Sequence, residues 1–146
     1  MEYILLLTAC INPDGMPFTC LADVGVRKKQ YIEALNFYLK NTTRKIVFVE
    51  NSGTDISSSF KDFQHRIEFL CFDGNLCFDK RKGKGYGEAL ILEYAMAKSE
   101  FITDDVLIFK LTGRLQLINI NRLIHYMDKL SPVIVFTTDY YSIFYR

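Results

Sequence analysis

The chain has no Asp-x-Asp, no Cys-x-x-Cys pair, no G-x-x-x-x-G-K-[ST] phosphate loop, and only two histidines, His65 and His125. Each absence removes a class of function. Without paired carboxylates the usual anchor for a divalent ion at a diphosphate is missing. Cysteines at 10, 20, 71 and 77 without a nearby histidine at ligand spacing give no zinc site. Neither histidine neighbours a serine or cysteine in an identifiable motif, so a hydrolase triad has no support. The formal net charge is +1, which leaves no sequence-wide basic field for a nucleic-acid backbone. The run Ile4 to Leu7 is far shorter than a membrane span or the apolar part of a signal peptide, and Met1-Glu2-Tyr3 carries no positive leader. A cytoplasmic, reduced protein with no membrane span is expected, with Cys10, Cys71 and Cys77 buried as free thiols in apolar runs.

What is present is globular. The 146 residues suit a single domain, 1–146, and 49% hydrophobic with 24% charged residues supplies a core without disordered tails or repeats. Short apolar runs alternate with helix-length stretches, which predicts an α/β fold with a mostly parallel sheet and helices on both faces. Strands are expected at Tyr3 to Ala9, Lys45 to Glu50, Arg66 to Cys71, Val106 to Leu111 and Val133 to Thr137, buried on both faces. Helices are expected at Val26 to Leu39, Thr54 to Phe63, Gly87 to Lys98 and Asn119 to Lys129. In the first, Tyr31, Leu35, Tyr38 and Leu39 form the buried stripe, and Arg27, Lys28 and Lys29 lie outside it.

Open parallel sheets bind ligands beyond the carboxyl ends of their strands, and the residues that follow these runs are polar. They are Thr8 to Pro13, Glu50 to Gly53, Asp73 to Asn75 and Thr112 to Arg114. Turn chemistry alone explains any one of them; their joint placement points to a site. Glu50 ends an apolar strand and so must meet water, a partner or a ligand, and a base or ribose contact fits. Gly83-Lys84-Gly85-Tyr86-Gly87-Glu88 opens a helix and offers backbone amides to an anion, although Glu88 stands where a dinucleotide fingerprint needs glycine. A flexible loop with a capped helix is the plain alternative. The cluster Lys80, Arg81, Lys82 and Lys84 reads equally as a solvated loop or a phosphate-attracting one. Lys110 and Arg114 flank a turn, and Arg114 is either an anion contact or a surface cation paired with Asp104 or Asp105.

Taken together, Leu6 to Pro13, Val47 to Gly53, Lys82 to Glu88 and Phe109 to Arg114 resemble bacterial glycosyltransferase-like proteins of the A-type, nucleotide-diphospho-sugar transferase fold from surface-polysaccharide gene clusters. The resemblance runs from residue 3 to about 120. It implies transfer of a sugar from a nucleotide-activated donor to a glycan acceptor. Thr8, Ala9 and Asn12 would line the nucleotide pocket, Glu50 would contact the base or ribose, and Asn51 is a further substrate-binding candidate. Gly85, Gly87 and Glu88 would face the donor, and Lys110 and Arg114 the diphosphate. No cofactor is implied beyond a divalent metal, for which the Asp-x-Asp motif is replaced by Lys-Leu-Thr-Gly-Arg; the cations are expected to neutralise the leaving group instead. Relatives with this fold continue into acceptor-binding segments, so the acceptor portion is expected to be largely absent. Asp139 is the candidate base, and the aromatic Tyr140 to Tyr145 segment a self-association or sugar-binding surface. The alternatives are a non-catalytic nucleotide-sugar binding module and a self-associating structural remnant.

Overall fold

The computed structural model describes residues 2–129. Four strands, β1 (Glu2–Ala9), β2 (Lys45–Glu50), β3 (Ile67–Cys71) and β4 (Val106–Thr112), form one sheet in the order β3-β2-β1-β4, every neighbour parallel. The expected strand Val133 to Thr137 lies outside the described residues, as do Asp139 and the aromatic segment. The helices are α1 (Val24–Asn41), the single turn α2 (Gly74–Cys77), α3 (Gly83–Lys98) and α4 (Ile120–Lys129).

The period-two geometry of a strand sends alternate residues to opposite faces, and both faces here are apolar. Leu5 and Leu7 of β1 join Ile46 and Phe48 of β2 on one face, under Tyr31, Leu35 and Tyr38 of α1 and Ile120 and Ile124 of α4. Ile4, Leu6, Val47 and Val49 face the other way, against Ile91 and Ala95 of α3. Each such side chain contributes about 1.5–3 kcal/mol when fully buried. Burial on both faces holds for β1 and β2. On β3 and β4 it does not, and Ile108, Lys110 and Thr112 are exposed, because these strands are outermost among the described residues.

Two helices differ from the sequence reading. Where Thr54 to Phe63 was expected to be helical, the structure has a 3-10 segment at Ser57–Phe63, interrupted at Phe60. Phe60 and Ile56 are drawn into the core on the α1 face, and Asp55 accepts from the Ser57 amide at 2.8 Å. Helix α3 begins at Gly83, four residues earlier than expected, so the glycine-rich segment is its first turn.

The topology positions the site. The chain steps from β1 to β2 to β3 in one direction, with α1 and the 3-10 segment on one face. It then crosses back through α3 on the other face to β4, as right-handed crossovers require. The direction therefore reverses between β1 and β4, where open α/β sheets form their ligand crevice. Backbone bonds stitch the strand ends together there: the Gly113 amide donates to the Thr8 carbonyl at 2.9 Å and the Asn51 amide to the Ala9 carbonyl at 3.0 Å. A Cβ on Gly113 would lie 2.8 Å from the Thr8 carbonyl oxygen and 3.3 Å from the Tyr31 ring. Gly113→Ala must push β4 away from β1, and a loss of about 1–3 kcal/mol in urea unfolding is expected from overpacking; an unchanged midpoint would refute the close approach.

Candidate functional site

A cleft of about 440 Å³ opens over the carboxyl ends of the sheet. Thr8, Ala9, Asn51, Gly87, Glu88 and Arg114 of the sequence-derived candidates line it; Asn12, Glu50, Gly85 and Lys110 do not.

Glu50 is 1% exposed and faces the loops, not the cleft. Its carboxylate accepts from the backbone amides of Ile11 at 2.8 Å, Ser52 at 2.9 Å and Thr54 at 2.9 Å, and from the Ser52 hydroxyl. No cation pairs with it among the described residues. Three backbone amides, the Ser52 hydroxyl and the Cys71 thiol, at 3.7 Å, hold this buried carboxylate, as charge-assisted bonds to backbone do at helix caps and oxyanion sites. Its chemistry is spent on holding the loops after β1 and β2. Gly53, at φ +72°, makes the turn that brings the Thr54 amide back onto the carboxylate.

Across the sheet, Glu88 on the first turns of α3 meets Lys110 of β4 in an ion pair, and the Thr8 hydroxyl donates to the same Glu88 oxygen at 2.8 Å. Three elements thus converge on one carboxylate at the strand reversal. Lys110 reaches Glu88 from the neighbouring strand instead of the cleft itself. Gly87 packs against Phe78, and Gly85 is exposed with open space around it.

Three cations line the cleft. Among the described residues Arg114 donates to the Gln30 oxygen at 3.3 Å and makes no ion pair with Asp104 or Asp105. Lys84 donates to the Phe18 carbonyl at 2.6 Å. The third, Arg27, was read as an exposed helix residue and is instead 7% exposed. Its guanidinium donates to the carbonyls of Cys10, at 3.0 and 2.5 Å, and of Leu21, at 3.1 Å. The signal for it was present: Arg27, Tyr31 and Leu35 recur every fourth residue along one stripe of α1. Among the described residues none of these cations has a carboxylate partner. Glu88, already paired, is the one carboxylate in the lining. The rest of the basic cluster is occupied locally, Arg81 by Asp79 and Lys80 by the Asp14 carbonyl, with Lys82 4.5 Å from the centre of the Tyr86 ring.

Among the described residues no group of three or more His, Cys, Asp or Glu side chains is placed to hold a metal ion, and no helix is long and apolar enough to cross a membrane. His65 and His125 are exposed. Comparison with protein-family models, curated proteins and solved structures finds no match to this chain.

All four cysteines are free, but Cys77 is exposed, contrary to expectation, and Cys10 and Cys71 are only partly covered. Burial, and then the charge of Glu50, push the thiols of Cys10 and Cys71 up to about 11. The thiolate is the reactive form, so at pH 8 iodoacetamide should label Cys20 and Cys77 at least tenfold faster than Cys10 and Cys71, with the gap closing toward pH 11. Peptide mass mapping of a labelling time course reads this directly, and equal rates would contradict it. Glu50→Gln places an amide nitrogen among three backbone donors; each donor left unpaired costs roughly 1–3 kcal/mol, which urea unfolding should show as a lowered midpoint.

Proposed function

We propose that the cleft binds a nucleotide-activated sugar, and that the chain is a glycosyltransferase of surface-polysaccharide synthesis, or its donor-binding part. One observation carries the reading: Arg27, Lys84 and Arg114 line a single cleft at the strand reversal, and among the described residues no carboxylate pairs with them. Uncompensated cations in a half-enclosed space favour a multiply charged anion, and planar guanidinium groups suit phosphate oxygens. The first turn of α3 adds amides at its positive end. The resemblance to A-type transferases supplies the sugar, and Glu88, fixed by Thr8 and Lys110, offers a carboxylate to its hydroxyl groups.

In transfer, an acceptor hydroxyl oxygen bonds to the anomeric carbon while that carbon's bond to the diphosphate breaks. The electron pair leaves with the diphosphate, and the hydroxyl proton goes to a base. Arg27, Lys84 and Arg114 stabilise the leaving charge, since cations already aimed at developing charge need no reorganisation. A second reading, a binding module without catalysis, is favoured by Glu88 being both the one carboxylate in the described lining and an ion-paired one. Measuring donor hydrolysis and transfer separates the two.

Uridine, guanosine, adenosine and cytidine diphosphates, with their sugar conjugates, provide the binding test by thermal shift, since a ligand of the folded state raises the melting temperature. At least one is expected to stabilise the chain. Arg114→Ala should weaken that ligand about tenfold, equivalent to about 1.4 kcal/mol. No shift with any of them at millimolar concentration overturns the reading. If the chain transfers sugar, activity should survive EDTA; loss that is restored by a divalent ion would show that the cations do not replace one.

A further inference from the structure

The connection between β1 and α1, residues 10–23, is longer than the roughly 2–6 residues usual for such a loop, and long loops in compact domains commonly carry function. It forms no helix or strand and is anchored by side chains from outside it. The Asn75 side-chain nitrogen donates to the Asn12 carbonyl at 3.0 Å, Lys80 to that of Asp14, Lys84 to that of Phe18 at 2.6 Å, and Arg27 to that of Leu21 at 3.1 Å. Phe18 sits at φ +56°, in the left-handed region that a bulky side chain rarely enters. Such strain persists only where the surroundings over-determine the backbone, and four anchors along one loop do so. The fold imposes this loop's shape.

A second cavity, of about 240 Å³, opens along the loop. Pro13, Met16 and Thr19 line it and the cleft alike, so the two adjoin. Asn12, Asp14 and Ala22 line it and not the cleft, which is where the structure places the Asn12 expected in the nucleotide pocket. Its volume is below the roughly 300–1,000 Å³ of pockets for drug-sized ligands, which suits a single ring.

The two cavities differ in character. Three cations line the cleft; among the described residues none lines the second cavity, and Asp14 gives it a carboxylate. Asp14 is exposed. Its backbone nitrogen donates to Asn12 Oδ1 at 3.2 Å and its carbonyl takes Lys80, while its carboxylate has no hydrogen-bond or ion-pair partner among the described residues. An ionised carboxylate only accepts hydrogen bonds, so a fitting ligand brings donors. Pro13, Met16 and Ala22 add apolar surface beside it. A sugar ring answers both, with hydroxyl donors at its edge and C–H groups on its faces.

We propose that the second cavity binds a sugar ring of the acceptor glycan, with the Asp14 carboxylate accepting hydrogen bonds from its hydroxyl groups. The identity of the occupant rests on the nucleotide-sugar reading: transfer needs a second substrate beside the donor, and this cavity adjoins the cleft without sharing its cations.

Saturation-transfer NMR on the whole chain, with the methyl glycosides of glucose, galactose, mannose and N-acetylglucosamine as probes, tests it. At least one glycoside is expected to bind, and to stay bound when inorganic pyrophosphate or the stabilising nucleoside diphosphate is added in excess. Asp14→Ala should weaken that glycoside about tenfold, as loss of hydrogen bonds to a charged group does. Ala22→Phe should block it by filling the cavity. Both side chains are exposed, so the melting temperature of each variant should match that of the parent, and each should bind the nucleoside diphosphate within about twofold of it. No binding by any glycoside at tens of millimolar, displacement of the glycoside by pyrophosphate, or an affinity indifferent to either substitution overturns the proposal. If nucleotides bind and no glycoside does, only this proposal falls; if a glycoside binds through Asp14 and no nucleotide does, it is the nucleotide-sugar reading that falls.

Discussion

The buried carboxylate of Glu50 is the point from which the whole upper surface of the sheet is suspended. It ends β2 inside the protein, and its oxygens gather the amides of Ile11, Ser52 and Thr54. Ile11 carries the loop that brings Cys10, Met16 and Thr19 to the cleft, and Asn51 is the next residue along. From Asn51 the backbone bonds run outward, to Ala9 on one side and Asn75 on the other, while the Glu50 carbonyl takes the Phe72 amide at 3.0 Å. An unpaired charge so deeply buried would be ruinous; with three amide donors around it, it becomes a rigid clamp. The strand-end loops are consequently ordered around a fixed point and not by their own turn preferences.

That rigidity matters because the cleft gathers cations that no carboxylate pairs with among the described residues. Arg27 is buried with carbonyl oxygens as its partners, and among the described residues Arg114 hydrogen-bonds the Gln30 oxygen. The sheet below, with Ile4 to Leu7 and Ile46 to Val49 buried throughout, supplies the stability on which the cleft is built. A site whose cations are arranged in advance loses little on receiving an anion.

The strands were legible because their information is local. A run of β-branched and aromatic residues with apolar character at every position specifies a strand covered on both sides, and β1 and β2 follow that rule. Helix α1 was equally plain in the spacing of Tyr31, Leu35, Tyr38 and Leu39, all buried. Local pattern misled where tertiary packing overrode it. The Thr54 to Phe63 stretch became a 3-10 segment because Ile56 and Phe60 had to reach the core. Arg27 passed for a surface residue because guanidinium is charged, and nothing in neighbouring residues reveals that carbonyls from Cys10 and Leu21 will enclose it.

By itself, then, the sequence determined the α/β class, the register of apolar faces and the concentration of polar residues after each strand, because these follow from periodicity and from the absence of competing motifs. Only the tertiary structure decided what those polar residues do. Strand order set Glu88 beside Lys110 and Thr8, turned Glu50 inward to its amides, and brought Asn75 to the same cleft as Arg114. These are contacts between residues tens of positions apart. No local pattern encodes them, because they exist only when parallel strands are laid side by side and their ends meet.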